Sequence, residues 1–212
     1  DRRSAVLASS GREKRNVMHH VSTSIDATQA IMKLLPESVR FQALCCSRGM
    51  EYIYRVCAFH HAAHSGNTDS FRAIMSLLPE SCRLQTLCSM RGEHKRTVLH
   101  HAAYLGKPDL IRVAMNSLPR ESQRSQFESA RDEFDRTALH VAAHSGNIAC
   151  IRVILDTLPE SCRLRTVETV STQDEANSLQ IVVHSGNIAC IRAILDSLPE
   201  SQRKRALNIL GQ

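Results

Sequence analysis

Histidine is the residue type best placed to do chemistry in this chain, and it recurs on a fixed pitch. Of 11 histidines, His60, His100 and His140 lie 40 residues apart, and Gln180 takes the next place in the series. His64, Tyr104, His144 and His184 form a second series at the same interval. Imidazoles can ligate zinc, move protons or anchor a partner. A zinc site needs ligand atoms about 2.1 Å from one ion, whereas residues one stacked unit apart start roughly 10 Å apart. No metal is therefore expected, and no cofactor. Arg72, Arg112, Arg152 and Arg192 form a third series, a basic row suited to acidic protein or phosphate. Asp156 and Asp196 stand four residues after the last two and can neutralise them, which favours a solvated face.

The remaining reactive groups point away from catalysis. No Gly-x-Gly-x-x-Gly, P-loop, His-Glu-x-x-His or Gly-x-Ser-x-Gly occurs. Glu37, Glu80, Glu160 and Glu200 recur within Pro-Glu-Ser, where an acid beside a helix start complements the helix dipole. No catalytic residue and no small-molecule substrate is expected. The eight cysteines follow the repeat instead of pairing: Cys150 matches Cys190, and Cys82 matches Cys162. Cys45-Cys46 is vicinal and there is no C-x-x-C, so neither zinc nor redox work is written there. Reduced, buried thiols imply a cytoplasmic setting. Nucleic-acid binding would need a denser basic stripe and more stacking aromatics than three Tyr and five Phe provide, despite the net charge of +6.

Elements that could position these residues follow from the same pitch. Pro79, Pro119, Pro159 and Pro199 repeat every 40 residues, and a strict period in this range means a solenoid whose units bury their apolar faces on each other. In one unit, Thr137 precedes Leu139, Ala142 and Ala143, which predicts a short helix with Thr as its start. Ser145-Gly146-Asn147 breaks it, Gly as the stop and Asn as the next cap. Ile148, Ile151, Ile154, Leu155 and Leu158 then form a helical stripe with Arg152 and Asp156 outside. Pro159 ends that helix and opens a short third one, with Leu164 and Val167 as its apolar contacts. No segment alternates enough to predict a strand.

The residues Thr97-Val98-Leu99-His100-His101-Ala102-Ala103 and Thr137-Ala138-Leu139-His140-Val141-Ala142-Ala143 resemble the T-P-L-H-x-A-A of the ankyrin repeat. The resemblance covers about residues 16–200 and is weakest in the first and last units. It implies an all-α solenoid, a structural hydrogen-bonding role for His100 and His140, and a concave side carrying the second histidine series. Two departures stand out. The period is 40 against the family's usual 33 or so, with the surplus after the second helix. The family's Asp-x-x-Gly before Thr, which shapes a hairpin finger, survives only in traces such as Asp135. The expectation is that the fingers are remodelled or replaced by the extra helix. The long Leu-Pro-Glu-Ser units also resemble ankyrin-repeat effectors of intracellular bacteria, for which the setting is host cytoplasm after secretion.

The units expected are 16–54, 55–95, 96–135, 136–176 and 177–212, the first and last degenerate and the last a cap. Residues 1–15 read as the tail of a preceding repeat, as in a piece of a longer protein. The function expected is protein binding. Its contact residues are His61, His64, His101, Tyr104, Val141, His144, Ile181 and His184 on the concave stripe, with Tyr52, Tyr54, His94 and Phe134 at loop tips. The alternatives are a scaffold or spacer region of a larger protein, and an electrostatic binder of nucleic acid or anionic lipid.

Overall fold

A computed structural model describes residues 25–36, 40, 66–89, 93–119, 129–208 and 210. Its α-helices are α1 (Ile25–Leu34), α2 (Thr68–Leu77), α3 (Glu80–Ser89), α4 (Val98–Tyr104), α5 (Pro108–Asn116), α6 (Ala138–His144), α7 (Ile148–Thr157), α8 (Glu160–Glu168), α9 (Ser178–His184), α10 (Ile188–Ser197) and α11 (Glu200–Asn208). They fall into three kinds. The seven-residue helices α4, α6 and α9 pack on one another in series. The second helices α1, α2, α5, α7 and α10 form a parallel series behind them, and the third helices α8 and α11 touch each other. The molecule is an all-α repeat solenoid.

Helices this short are marginal in water, so stacking must hold them. One core runs through the described units, with the same positions refilled every 40 residues. Leu99, Leu139 and Leu179 are buried on the first helices, and Phe71, Ile111 and Ile151 on the second. Each such side chain contributes roughly 1.5–3 kcal/mol by leaving water. Ala102, Ala103, Ala142 and Ala143 are all buried, and their small size lets the first helices approach closely. The predicted stripe holds except at its outer edge: Ile148 and Ile188 are 36% and 65% exposed. These two residues sit at the first helical position, beside the solvated turn.

The turn between first and second helices works as the sequence predicts at Gly146, whose φ is +68°. The Gly146 and Asn147 amides donate to the Ala143 and Ala142 carbonyls at 3.1 and 2.9 Å. Asn147 is used differently from the expectation. Asn67 and Asn187 cap their helices by accepting from Ser70 N and Cys190 N. Asn147 instead donates Nδ2 to the Ala103 and Tyr104 carbonyls of the preceding unit, at 2.6 and 3.1 Å. Gly106 makes room for it, since a Cβ there would lie 3.0 Å from Asn147 Oδ1.

The third helix forms where Pro-Glu-Ser predicts it, with Leu164 and Val167 buried. The equivalent Leu87 is buried and Leu84 half-buried, whereas the pair Phe41 and Leu44 lies outside the described residues. The arginine four residues after Pro36, Pro79, Pro159 and Pro199 carries a role that sequence reading missed. Arg40, Arg83, Arg163 and Arg203 donate Nε to the carbonyls of Leu35, Leu78, Leu158 and Leu198 at 3.0–3.2 Å. Those are carbonyls that the proline break leaves without an amide. Arg40 and Arg163 also reach onward with Nη1, to Leu77 O (3.2 Å) and Ser197 O (2.8 Å) at the end of the following second helix.

One expectation about the loops is corrected, and of the alternatives for the fingers replacement is ruled out in the last of them. A strand pair does form: β1 (Val170–Ser171) and β2 (Ala176–Asn177) are antiparallel, with Val170 opposite Asn177. Two-residue strands are too short to alternate visibly, and the turn makes them. The hairpin therefore persists beside the extra helix, which does not replace it. In the preceding finger, Asp132 fills the Asp place of the Asp-x-x-Gly motif and Asp135 fills the Gly place, with φ +57°. Lys95 and Glu175 occupy the corresponding left-handed positions. The buried Asp132 carboxylate accepts from Phe134 N and Arg136 N at 2.9 Å and from the Arg136 guanidinium at 3.1 and 3.2 Å. Arg96 Nε approaches it to 3.7 Å.

Arg163→Gln is expected to lower unfolding free energy by about 2 kcal/mol, because charge-assisted bonds to two helix-end carbonyls are lost. Arg152→Gln, an exposed change on the neighbouring helix, should stay within about 0.5 kcal/mol. Urea midpoints of the two variants measure the difference.

Candidate protein-binding surface

The surface residues are set by how each first helix begins. In α4, His100 Nδ1 lies 2.7 Å from Thr97 Oγ1 and accepts the Thr97 amide at 3.3 Å. With Nδ1 accepting, Nε2 carries the proton and donates to the Arg136 carbonyl of the next finger at 2.9 Å. His140 repeats the box with Thr137, at 2.7 and 3.3 Å. In α9 the same place is held by Gln180, whose Oε1 accepts the Asn177 amide at 3.0 Å while Asn177 Oδ1 accepts the Gln180 amide at 2.9 Å. An amide oxygen does the work of Nδ1, which is why the series tolerates glutamine. His100 and His140 are fully buried. Burial pushes His140 down to about 4, with Arg131 adding to the effect.

One turn later the side chains reach solvent. Tyr104 is 54% exposed, and His144 and His184 are exposed at the ends of α6 and α9. His101 and Ile181 are half-buried. Val141 is a correction: it is 2% exposed and belongs to the core, so it offers no contact surface. His61, His64, Tyr52 and Tyr54 lie outside the described residues. The two remaining loop-tip candidates are brought together across neighbouring fingers. His94 pairs with Glu133, and its ring lies 5.6 Å from that of Phe134. Further contacts tie the fingers, with Glu133 N donating to His94 O at 2.9 Å and Ser171 Oγ to Phe134 O at 3.1 Å. The Thr172 amide donates to Asp135 Oδ2 and holds that carboxyl below its ordinary range.

Sequence reading missed the arginines that brace the aromatics. The Arg96 guanidinium lies 4.8 Å over the Tyr104 ring, and that of Arg136 lies 4.4 Å over Phe134. Each arginine immediately precedes the Thr of a capping box, the only signal that could have found it. Also missed is a groove of about 460 Å³ between the exposed ends of α6 and α9 and the β1–β2 turn, lined by His144, His184, Ile181, Ala176, Asp174 and Glu175 among others.

The other chemical candidates stay apart. Among the described residues, no three His, Cys, Asp or Glu converge as for a metal ion. Burial pushes the Cys150 thiol up to about 11 and raises that of Cys190, while Cys82 and Cys162 are free. Arg72, Arg112, Arg152 and Arg192 are exposed on the second helices. Arg72 pairs with Asp69 at 3.4 Å, but no ion pair joins Arg152 to Asp156 or Arg192 to Asp196. No helix among the described residues is long and apolar enough to cross a membrane.

The sequence matches the family described as ankyrin repeats (3 copies) over residues 59–164 and again over 99–205. The chain belongs to the ankyrin repeat family. Ankyrin repeats generally serve as protein–protein interaction modules. The fold is similar to that in the crystal structure of the ankyrin repeat domain of Bcl-3, described as a unique member of the IkappaB protein family. That match has a TM-score of 0.68 and 15% identity, and it covers 91% of this chain and 75% of that one. Among curated proteins, no sequence match was found. Within the ankyrin frame, the capping-box histidines close the helix starts, and the positions one turn on are exposed.

The unfolded His140 imidazole titrates near 6.5 and the folded one near 4. Its contribution to stability is complete above pH 6.5 and is lost progressively as pH falls to 4, by about 3 kcal/mol in all. His140→Gln copies the ankyrin box of Asn177 and Gln180 and should flatten this slope, as read from urea midpoints between pH 7.5 and 4.

Proposed function

We propose that this chain binds a partner protein through the exposed ends of its first helices and the fingers beside them. The observation that carries this is the row of Tyr104, His144 and His184, each held at the end of a helix whose start is locked by a buried capping box. A large side chain on a rigid seat loses little conformational entropy on binding and suits an anchor. His101 and Ile181 flank the row, and His94 and Phe134 extend it along the fingers. His61, His64, Tyr52 and Tyr54 belong to the same proposal through their repeat positions. The ankyrin resemblance supports reading this row as part of the concave side. The units proposed are 16–54, 55–95, 96–135, 136–176 and 177–212, after a tail at 1–15.

No catalytic role is proposed for any residue. An effector role, with the host cytoplasm as its setting, rests on the Leu-Pro-Glu-Ser resemblance alone. The unpaired Arg152 and Arg192 favour a second reading, electrostatic binding of an anionic surface by the second-helix face. The scaffold reading predicts no partner at all.

Bait of this chain, with and without Tyr104→Ala/His144→Ala, should separate the three readings in an affinity capture at low and moderate salt. The expected result is a salt-resistant protein lost in the double variant, each anchor costing about 1–2 kcal/mol of binding. Retention of that protein by the double variant would sink the first-helix surface. Salt-labile acidic material alone would favour the electrostatic reading.

A further inference from the structure

The finger between α8 and α9 is charged unlike its neighbour. In the 131–136 finger, each carboxylate has a partner. Asp132 is held by Arg136, Glu133 pairs with His94, and Asp135 lies 4.0 Å from Arg131. In the 170–177 finger there is no Lys or Arg, and Asp174 and Glu175 form no ion pair with any described residue. Glu175 is exposed at a left-handed turn position. Asp174 Oδ2 is buried against the protein and accepts no hydrogen bond. Both residues line the groove of about 460 Å³, opposite the ends of α6 and α9. Its lining includes the apolar Ala176 and Ile181, together with His144 and His184, and contains no Lys or Arg. This lies in a chain of net charge +6.

From this arrangement we infer that the partner segment seated in this groove is cationic, a stretch of polypeptide that places a Lys or Arg side chain between the two fingertip carboxylates and the first-helix ends. The inference rests on the first-helix surface proposed above and specifies the chemistry of its partner. A long basic side chain has the right anatomy for this groove. Its methylene stem packs on Ala176 and Ile181 while its charged head meets the two fingertip carboxylates, which face no Lys or Arg of the groove lining. The cation fixes register and orientation, and packing along the Tyr104 row supplies the larger part of the affinity. An acidic segment would meet two uncompensated carboxylates and is rejected by the same geometry.

Two capped nonapeptides, one alternating Ala and Lys and the other alternating Ala and Glu, serve as probes against the isotope-labelled chain by amide chemical-shift titration. The lysine peptide should shift the Ala176, Ile181 and His184 amides, and the glutamate peptide should not. Asp174→Asn/Glu175→Gln should weaken the lysine peptide about tenfold, the range that two charge contacts supply, with its melting temperature checked against wild type. Asp156→Asn, an exposed acid of the second-helix face, should leave binding unchanged. Equal shifts from both peptides, no shift at those amides, or full affinity in the double variant overturns the inference. The captured partner separates this failure from that of the surface itself. A partner lost by Tyr104→Ala/His144→Ala but kept by Asp174→Asn/Glu175→Gln leaves the surface standing and removes the cation. A lysine peptide that binds the groove while Tyr104→Ala/His144→Ala keeps the partner does the reverse.

Discussion

A helix of seven residues has more backbone groups at its ends than along its length. Four amides at one end and four carbonyls at the other lack an internal partner, and a solenoid of such helices stands only if each end is satisfied. In this chain the next unit often supplies the missing group. His100 closes the start of α4 and donates onward to the Arg136 carbonyl. Asn147 reaches back to the carbonyls that end α4, and Arg163 reaches from the end of α7 to that of α10. End satisfaction and stacking are therefore coupled. A unit removed from the stack would keep its own capping box but lose the bonds that Asn147 and Arg163 make to neighbouring helix ends, together with its apolar contacts.

This constraint explains the length of the repeat. The surplus over the usual ankyrin unit falls after the second helix, where proline stops the chain and strands its last carbonyls. The Pro-Glu-Ser-x-Arg segment answers that stop. Glu starts a new helix in its own dipole, and Arg turns back to cap the helix just ended. The third helix adds Leu164, Val167 and Leu87 to the core. The finger is left to do what it does in shorter repeats, since β1 and β2 still form. The extra residues add contacts to the stack, α8 packing on α11 and, through Val167 O and Ser178 Oγ, on the start of α9.

Most of the fold was legible because period, apolar stripe and helix stops all recur in register. What escaped notice was the polar group whose partners only the folded chain reveals. Arg163 reads as a solvated charge until its carbonyl partner, 34 residues away, is known. Asp132 reads as one of several acids before Thr137, and only the folded loop shows its carboxylate buried among two amides and a guanidinium. Val141 shows the opposite error. Its place in a row of partly polar residues marks it for the surface, yet on α6 it turns into the core. The strand pair was invisible because its geometry comes from a positive φ at Glu175, which no propensity predicts for glutamate. The groove was illegible for a related reason, since its walls come from two first helices and a turn that no linear motif joins.

Histidine shows how little residue type decides and how much one helical turn does. His140 and His144 stand on the same seven-residue helix. The first lies at its start, where Nδ1 replaces a missing backbone acceptor and burial keeps the ring neutral down to about pH 4. The second lies at its end, exposed beside an acidic fingertip and a groove. A substitution that preserves hydrogen-bonding shape is enough at the first position, as Gln180 demonstrates in the next unit. At the second position the side chain faces outward. The two histidine series therefore differ in place: one closes the buried helix starts, where glutamine can stand in, and the other stands exposed at the helix ends.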